Sequence, residues 1–128
     1  MSTGLWVTLT YHDADAGLAW PKAVGFTESA IYRDDADPAV VHHAELSWPG
    51  GGGIMLGTHQ PRPGWPDQAG TGSAYAVTDD VDGTYEAALA AGGSSLREPA
   101  DQDYGGRSCV VRDPEGNLWS FGSYRGEG

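Results

Sequence analysis

With 128 residues the chain has room for one domain with a core of its own, and 39% hydrophobic against 20% charged residues excludes wholesale disorder. A formal net charge of −11, with only seven Lys and Arg, excludes the basic stripe that grips nucleic acid. Cys109 is the single cysteine, so an intrachain disulfide and a zinc–thiolate cluster are excluded as well.

Twenty glycines and eight prolines point to short elements joined by tight turns. The first strand is predicted over Leu5–Tyr11, where Val7, Leu9 and Tyr11 alternate with Trp6, Thr8 and Thr10. Asp13 or Asp15 then caps a helix running to about Val24, with Gly25 as its stop and Pro21 costing it a hydrogen bond. Strands follow at Phe26–Tyr32 and Ala39–Trp48, and the turn Pro49–Gly53 leads into a short strand Ile54–Thr58. Residues 59–71 carry Pro61, Pro63, Trp65 and Pro66 and read as a linker between two halves.

The second half repeats the first. A strand at Ser73–Thr78 precedes a helix opened by Asp80, Val81 and Asp82 and closed by Gly92-Gly93. Strands then fit at Ser94–Glu98, Arg107–Arg112 and, after the turn Asp113–Asn117, Leu118–Tyr124. Asp13-Ala14-Asp15 with Gly25 falls on Asp80-Val81-Asp82 with Gly92 at a constant offset of 67. Pro49 with Ile54–Gly57 falls on Pro114 with Trp119–Gly122 at an offset of 65. The expectation is one α+β domain, 1–128, made of two tandem βαβββ modules at about 5–58 and about 72–124.

This arrangement resembles the glyoxalase/bleomycin-resistance/extradiol dioxygenase (vicinal oxygen chelate) superfamily, and within it the metal-free bleomycin-resistance branch. The likeness is carried by Asp13-Ala14-Asp15, Lys22–Phe26, Asp79–Asp82 and above all Asp113-Pro114-Glu115-Gly116-Asn117-Leu118-Trp119. It implies a U-shaped mixed sheet of eight strands around a cavity, commonly completed in a homodimer. It also implies that metal-dependent members place a ligand on the first and last strand of each module. Those positions here are Trp6, Met55, Ser73 and Ser120, and none is a usual ligand. Leu5–Thr10, Gly53–Thr58, Gly72–Thr78 and Leu118–Tyr124 contain no His, Asp, Glu or Cys, so a register error does not restore a site. No metal and no cofactor are therefore expected.

Other chemistry is thin. His42 and His43 are adjacent in a strand and face opposite sides, whereas His43 and Glu45 share a face and form the best residual acid–base pair. His12 and His59 sit at element ends, where solvated histidine is expected. No nucleophile elbow is present, and the glycine run Gly50–Gly53 lacks the Lys-Ser/Thr of a phosphate loop. Cys109 sits in an apolar run and reads as an inert buried thiol. Trp119 and Phe121 read as core, Trp20 as core or dimer contact, and Trp48 has no assigned role.

The functional expectation is a binding protein that encloses an aromatic or apolar small molecule, with drug sequestration and antibiotic resistance as the model. Trp6 and Tyr75 would wall the ligand, Met55 would adapt to its shape, and Ser73 and Ser120 would supply hydrogen bonds. Trp65 on the linker and Tyr104 and Arg107 before the seventh strand would act as lids. Whether Trp6 lines the cavity or fills it stays open. The alternative is an enzyme, a glyoxalase-like lyase or isomerase or a natural-product tailoring enzyme, using His43 and Glu45. No apolar stretch approaches membrane-spanning length and no signal-like segment opens the chain, so a cytoplasmic location is expected.

Overall fold

The computed structural model describes residues 4–127. Its elements run β1 (Trp6–Tyr11), α1 (Ala14–Val24), β2 (Thr27–Arg33), β3 (Val41–Ser47), β4 (Gly53–Thr58), β5 (Ser73–Val77), α2 (Val81–Ala90), β6 (Ser94–Asp101), β7 (Arg107–Arg112) and β8 (Leu118–Gly122). Each half is βαβββ, as the sequence repeat requires. The strands divide into two four-stranded mixed sheets, ordered β1-β4-β3-β2 and β5-β8-β7-β6. In both, the first strand pairs parallel with the last and the other pairings are antiparallel.

The helix ends follow from the capping residues. Asp13 accepts the Ala16 N–H at 3.2 Å and Asp80 accepts the Gly83 N–H at 3.0 Å, so Asp13 rather than Asp15 starts α1. Gly25, at φ 130°, turns its N–H back onto the Pro21 and Lys22 carbonyls and closes that helix. Pro21 lies inside α1 and is buried, where its ring adds to the core.

Alternation along the strands sends one face of each sheet into a shared core. Leu9, Ile54, Leu56, Ala44 and Leu46 come from the first sheet, and Ala76, Cys109, Val111, Trp119 and Phe121 from the second. Trp20 of α1 stands between them, 5.5 Å from Trp119 and 6.4 Å from Phe121 between ring centroids. Its indole N–H donates to the Ala88 carbonyl of α2 at 3.0 Å, which makes it core. Burial pushes the Cys109 thiol above its ordinary pKa, in keeping with an inert side chain. Because both sheets turn one face onto the same core, their other faces look outward.

Two turns clasp the modules together. The Asp113 carboxylate, 4% exposed, accepts from the Tyr11 hydroxyl at 2.7 Å, Asn117 Nδ2 at 3.1 Å and Trp119 Nε1 at 3.2 Å through one oxygen. Its other oxygen accepts the Glu115 and Asn117 N–H groups at 3.0 and 3.1 Å. Burial first, and the Asp113 charge second, push the Tyr11 phenol far above its ordinary pKa. Beside this hub, Glu115 spreads its two oxygens over the His12 and Asp13 N–H groups, both at 2.6 Å. At the equivalent place in module one stands Trp48, whose indole donates to the Val77 carbonyl of β5 at 2.8 Å.

Candidate ligand-binding faces

The sheet face turned from the core carries every second residue of each strand. On the first sheet these are Trp6 and Thr8 of β1, Met55 of β4, His43 and Glu45 of β3 and Tyr32 of β2, held by the registers Thr8↔Met55, Glu45↔Met55 and Tyr32↔His43. Trp6 is half-buried and lies across Gly53, where a Cβ would run into its ring and the Leu46 carbonyl. His43 Nε2 and Glu45 Oε2 are 2.8 Å apart, and the Tyr32 ring stacks on His43 at 6.2 Å. The expected acid–base pair therefore exists as a contact.

On the second sheet the outward residues include Ser73 and Tyr75 of β5, Ser120 of β8, Ser108 and Val110 of β7 and Arg97 of β6. Tyr75 lies across Gly122 and donates to the Tyr124 carbonyl at 2.8 Å. Burial pushes its phenol pKa up, so it is a protonated donor at neutral pH. Arg97 Nη2 donates to the Ser108 hydroxyl at 2.7 Å.

Trp6 and Met55 thus share one face and Ser73, Tyr75 and Ser120 another, on different sheets. Within one chain the four positions expected to converge are not brought together. The lid candidates also stand apart. Trp65 is 66% exposed with the Arg62 guanidinium 4.8 Å from its ring, and Tyr104 packs edge-on against Tyr124 at 5.1 Å. Arg107 is engaged by Asp82 at 3.0 Å and Asp101 at 3.4 Å; the Asp82 hydrogen bond, with both negative charges, pushes its pKa up further.

Two features escaped the sequence reading. His12 and His59 are not solvated separately: both turn to Asp67, at 3.1 and 3.6 Å, and fasten the linker to the end of β1. A cavity of about 390 Å³ opens where β1 and β5 approach. It is walled by Val7, Phe26, Trp48, Ala74, Ala76 and Trp119 and rimmed by the Gly50–Gly53 turn. Of the eight expected ligand-binding residues only Tyr75 lines it. Trp48 was the one signal available, an indole without an assigned role.

The sequence model of the Glyoxalase/Bleomycin resistance protein/Dioxygenase superfamily matches residues 5–121. The chain belongs to this superfamily. Among its relatives is the putative glyoxylase CFP32 of Mycobacterium tuberculosis, 32% identical over 119 residues, which cover 92% of this chain. The match takes in 42% of that relative, so the chain spans less than half the length of the relatives it matches. TioX from Micromonospora sp. ML1 is similar in structure, with a TM-score of 0.75 and 26% identity over 97% of this chain and all of its own. A bleomycin-binding protein complexed with bleomycin gives a TM-score of 0.62 at 21% identity, over 97% of this chain and 100% of that one, a likeness of fold.

The metal chemistry of the superfamily needs N or O donors at the first and last strands of each module. Trp6, Met55, Ser73 and Ser120 supply no imidazole or carboxylate there. Among the described residues no three His, Cys, Asp or Glu side chains are arranged to hold an ion. The donor set does not fit a divalent metal. Among the same residues no helix is long and apolar enough to cross a membrane.

Proposed function

We propose that the chain is a small-molecule binding protein of the bleomycin-resistance kind, which sequesters an aromatic natural product on its outward sheet faces without a metal. The observation that carries this is the occupancy of the superfamily's ligand positions by Trp6, Met55, Ser73 and Ser120, a set suited to stacking and weak hydrogen bonds. A single face is shallow, so enclosure needs a second copy that lays its second sheet over the first sheet of its neighbour. Charge supports that pairing, with Glu45 on one face and Arg97 on the other.

Titration calorimetry with bleomycin, the ligand of the structurally similar protein, tests the reading. Saturable binding with recovery of unchanged ligand is expected. Replacing Trp6 by Ala should weaken it about tenfold, or roughly 1.4 kcal/mol. Chemical conversion of the ligand, or an affinity indifferent to Trp6→Ala, would overturn it. The His43–Glu45 contact favours one second reading, proton transfer on the same face, in which His43→Ala abolishes a measurable turnover.

A further inference from the structure

The internal duplication allows each part of one module to be compared with its twin, and the comparison is uneven at the two seams between modules. At one seam the β1 residue Leu9 packs on Gly72, and the Asn117 side chain accepts the Gly72 N–H at 2.8 Å. That seam is filled. At the twin seam the same offsets place Ala76 where Leu9 stands and Gly52 where Asn117 stands, while Leu5, which is 82% exposed, takes the place of Gly72. The exchanges of Leu9 for Ala76 and of Asn117 for Gly52 remove side-chain volume beside β5, where the cavity of about 390 Å³ lies. Hollows of this size are at the lower end of the range of about 300–1,000 Å³ typical of small-molecule sites.

We propose that this cavity is a second binding site, distinct from the outward faces, for a small uncharged aromatic molecule. Four aromatic residues line it, Phe26, Trp48, Trp119 and Tyr75, and the first three already meet at angles that suit a further ring. Phe26 lies 4.8 Å from Trp48 and 5.6 Å from Trp119 between centroids, tilted in one case and edge-on in the other. The rest of the wall is aliphatic apart from the Gly50–Gly53 backbone and Arg125. Among the described residues Arg125 is the one charged side chain that lines the cavity, and it is engaged by Asp79 at 2.9 Å, so an anionic ligand gains little. The Gly50–Gly53 rim has no side chains to close the mouth, and a Cβ at Gly51 or Gly52 would meet nothing within 4 Å. An apolar hollow without an occupant forfeits dispersion contacts, so the site should trade stability for binding.

The test uses the full chain, 1-naphthol as probe and amide-resolved NMR. Saturable shifts are expected at Ala74, Ala76, Gly52 and the Trp48 indole N–H. Giving β5 the residues of β1, Ala74→Val with Ala76→Leu, should weaken the probe at least tenfold while raising Tm. Should the double variant not fold, Ala74→Val alone should weaken the probe at least threefold. Shifts centred on Trp6, Met55 and Ser120 would overturn the cavity site and leave the outward-face reading standing. An unchanged affinity in the folded variants, or a probe that never saturates, would overturn it too.

Discussion

Replacing Asp113 by Ala is the sharpest structural perturbation available. The substitution strands three buried donors at once, the Tyr11 hydroxyl, Asn117 Nδ2 and Trp119 Nε1, and releases the Glu115 and Asn117 N–H groups of the turn. A buried donor left without a partner costs about 1–3 kcal/mol. The three costs do not add fully, because Asn117 and Trp119 share the turn and relax together. A loss of about 3–5 kcal/mol is expected, a large part of the roughly 5–15 kcal/mol that holds a domain folded. Tyr11→Phe removes a single hydrogen bond to the same carboxylate and should cost about 1.5–3 kcal/mol. Urea titration followed by tryptophan fluorescence measures both, and the double variant should cost less than the sum of the singles. A loss below about 1 kcal/mol for Asp113→Ala, or strict additivity with Tyr11→Phe, would refute the view that this carboxylate clasps the modules.

Two further outcomes follow, one from this seam and one from its twin. The Tyr11 phenol has a folded pKa above its unfolded value of about 10, so its contribution is complete below that pH and fades above it, as the unfolded chain ionises first. Stability measured from pH 9 upward should fall less steeply in Tyr11→Phe than in the parent. Trp48→Phe removes the hydrogen bond to Val77 at the twin seam and should cost about 0.5–1.5 kcal/mol by the same titration.

Much of the fold was legible because local and global signals agree. Period-two alternation in Leu9-Tyr11 and in Trp119-Phe121 matches burial in the structure, the twin Asp caps start both helices, and Gly25 closes α1 while α2 ends at Ala91, one residue before Gly92. Strand ends moved by a residue or two, and by three at β6, which runs on through Pro99 to Asp101 as an edge strand. The site was less legible for a physical reason. Alternation tells which residues of one strand share a face, so His43 was placed with Glu45, whereas Trp6 was placed with Met55 only through the family resemblance. It does not tell which way two sheets turn relative to each other, and the structure places Trp6 and Met55 on one sheet and Ser73 and Ser120 on the other, with a shared core between them. The cavity was hidden because Ala76 and Gly52 look like ordinary small residues until they are laid against their twins Leu9 and Asn117. Likewise the meeting of His12 and His59 on Asp67 joins the end of β1 to a proline-rich linker whose path no periodicity encodes.

The most direct test of capture without a metal is the affinity for bleomycin before and after exhaustive treatment with a chelator. Equal dissociation constants in the two samples, with no metal retained at stoichiometric level, are what the Trp6, Met55, Ser73 and Ser120 chemistry demands. Binding that disappears with chelation and returns when a divalent ion is restored would contradict it.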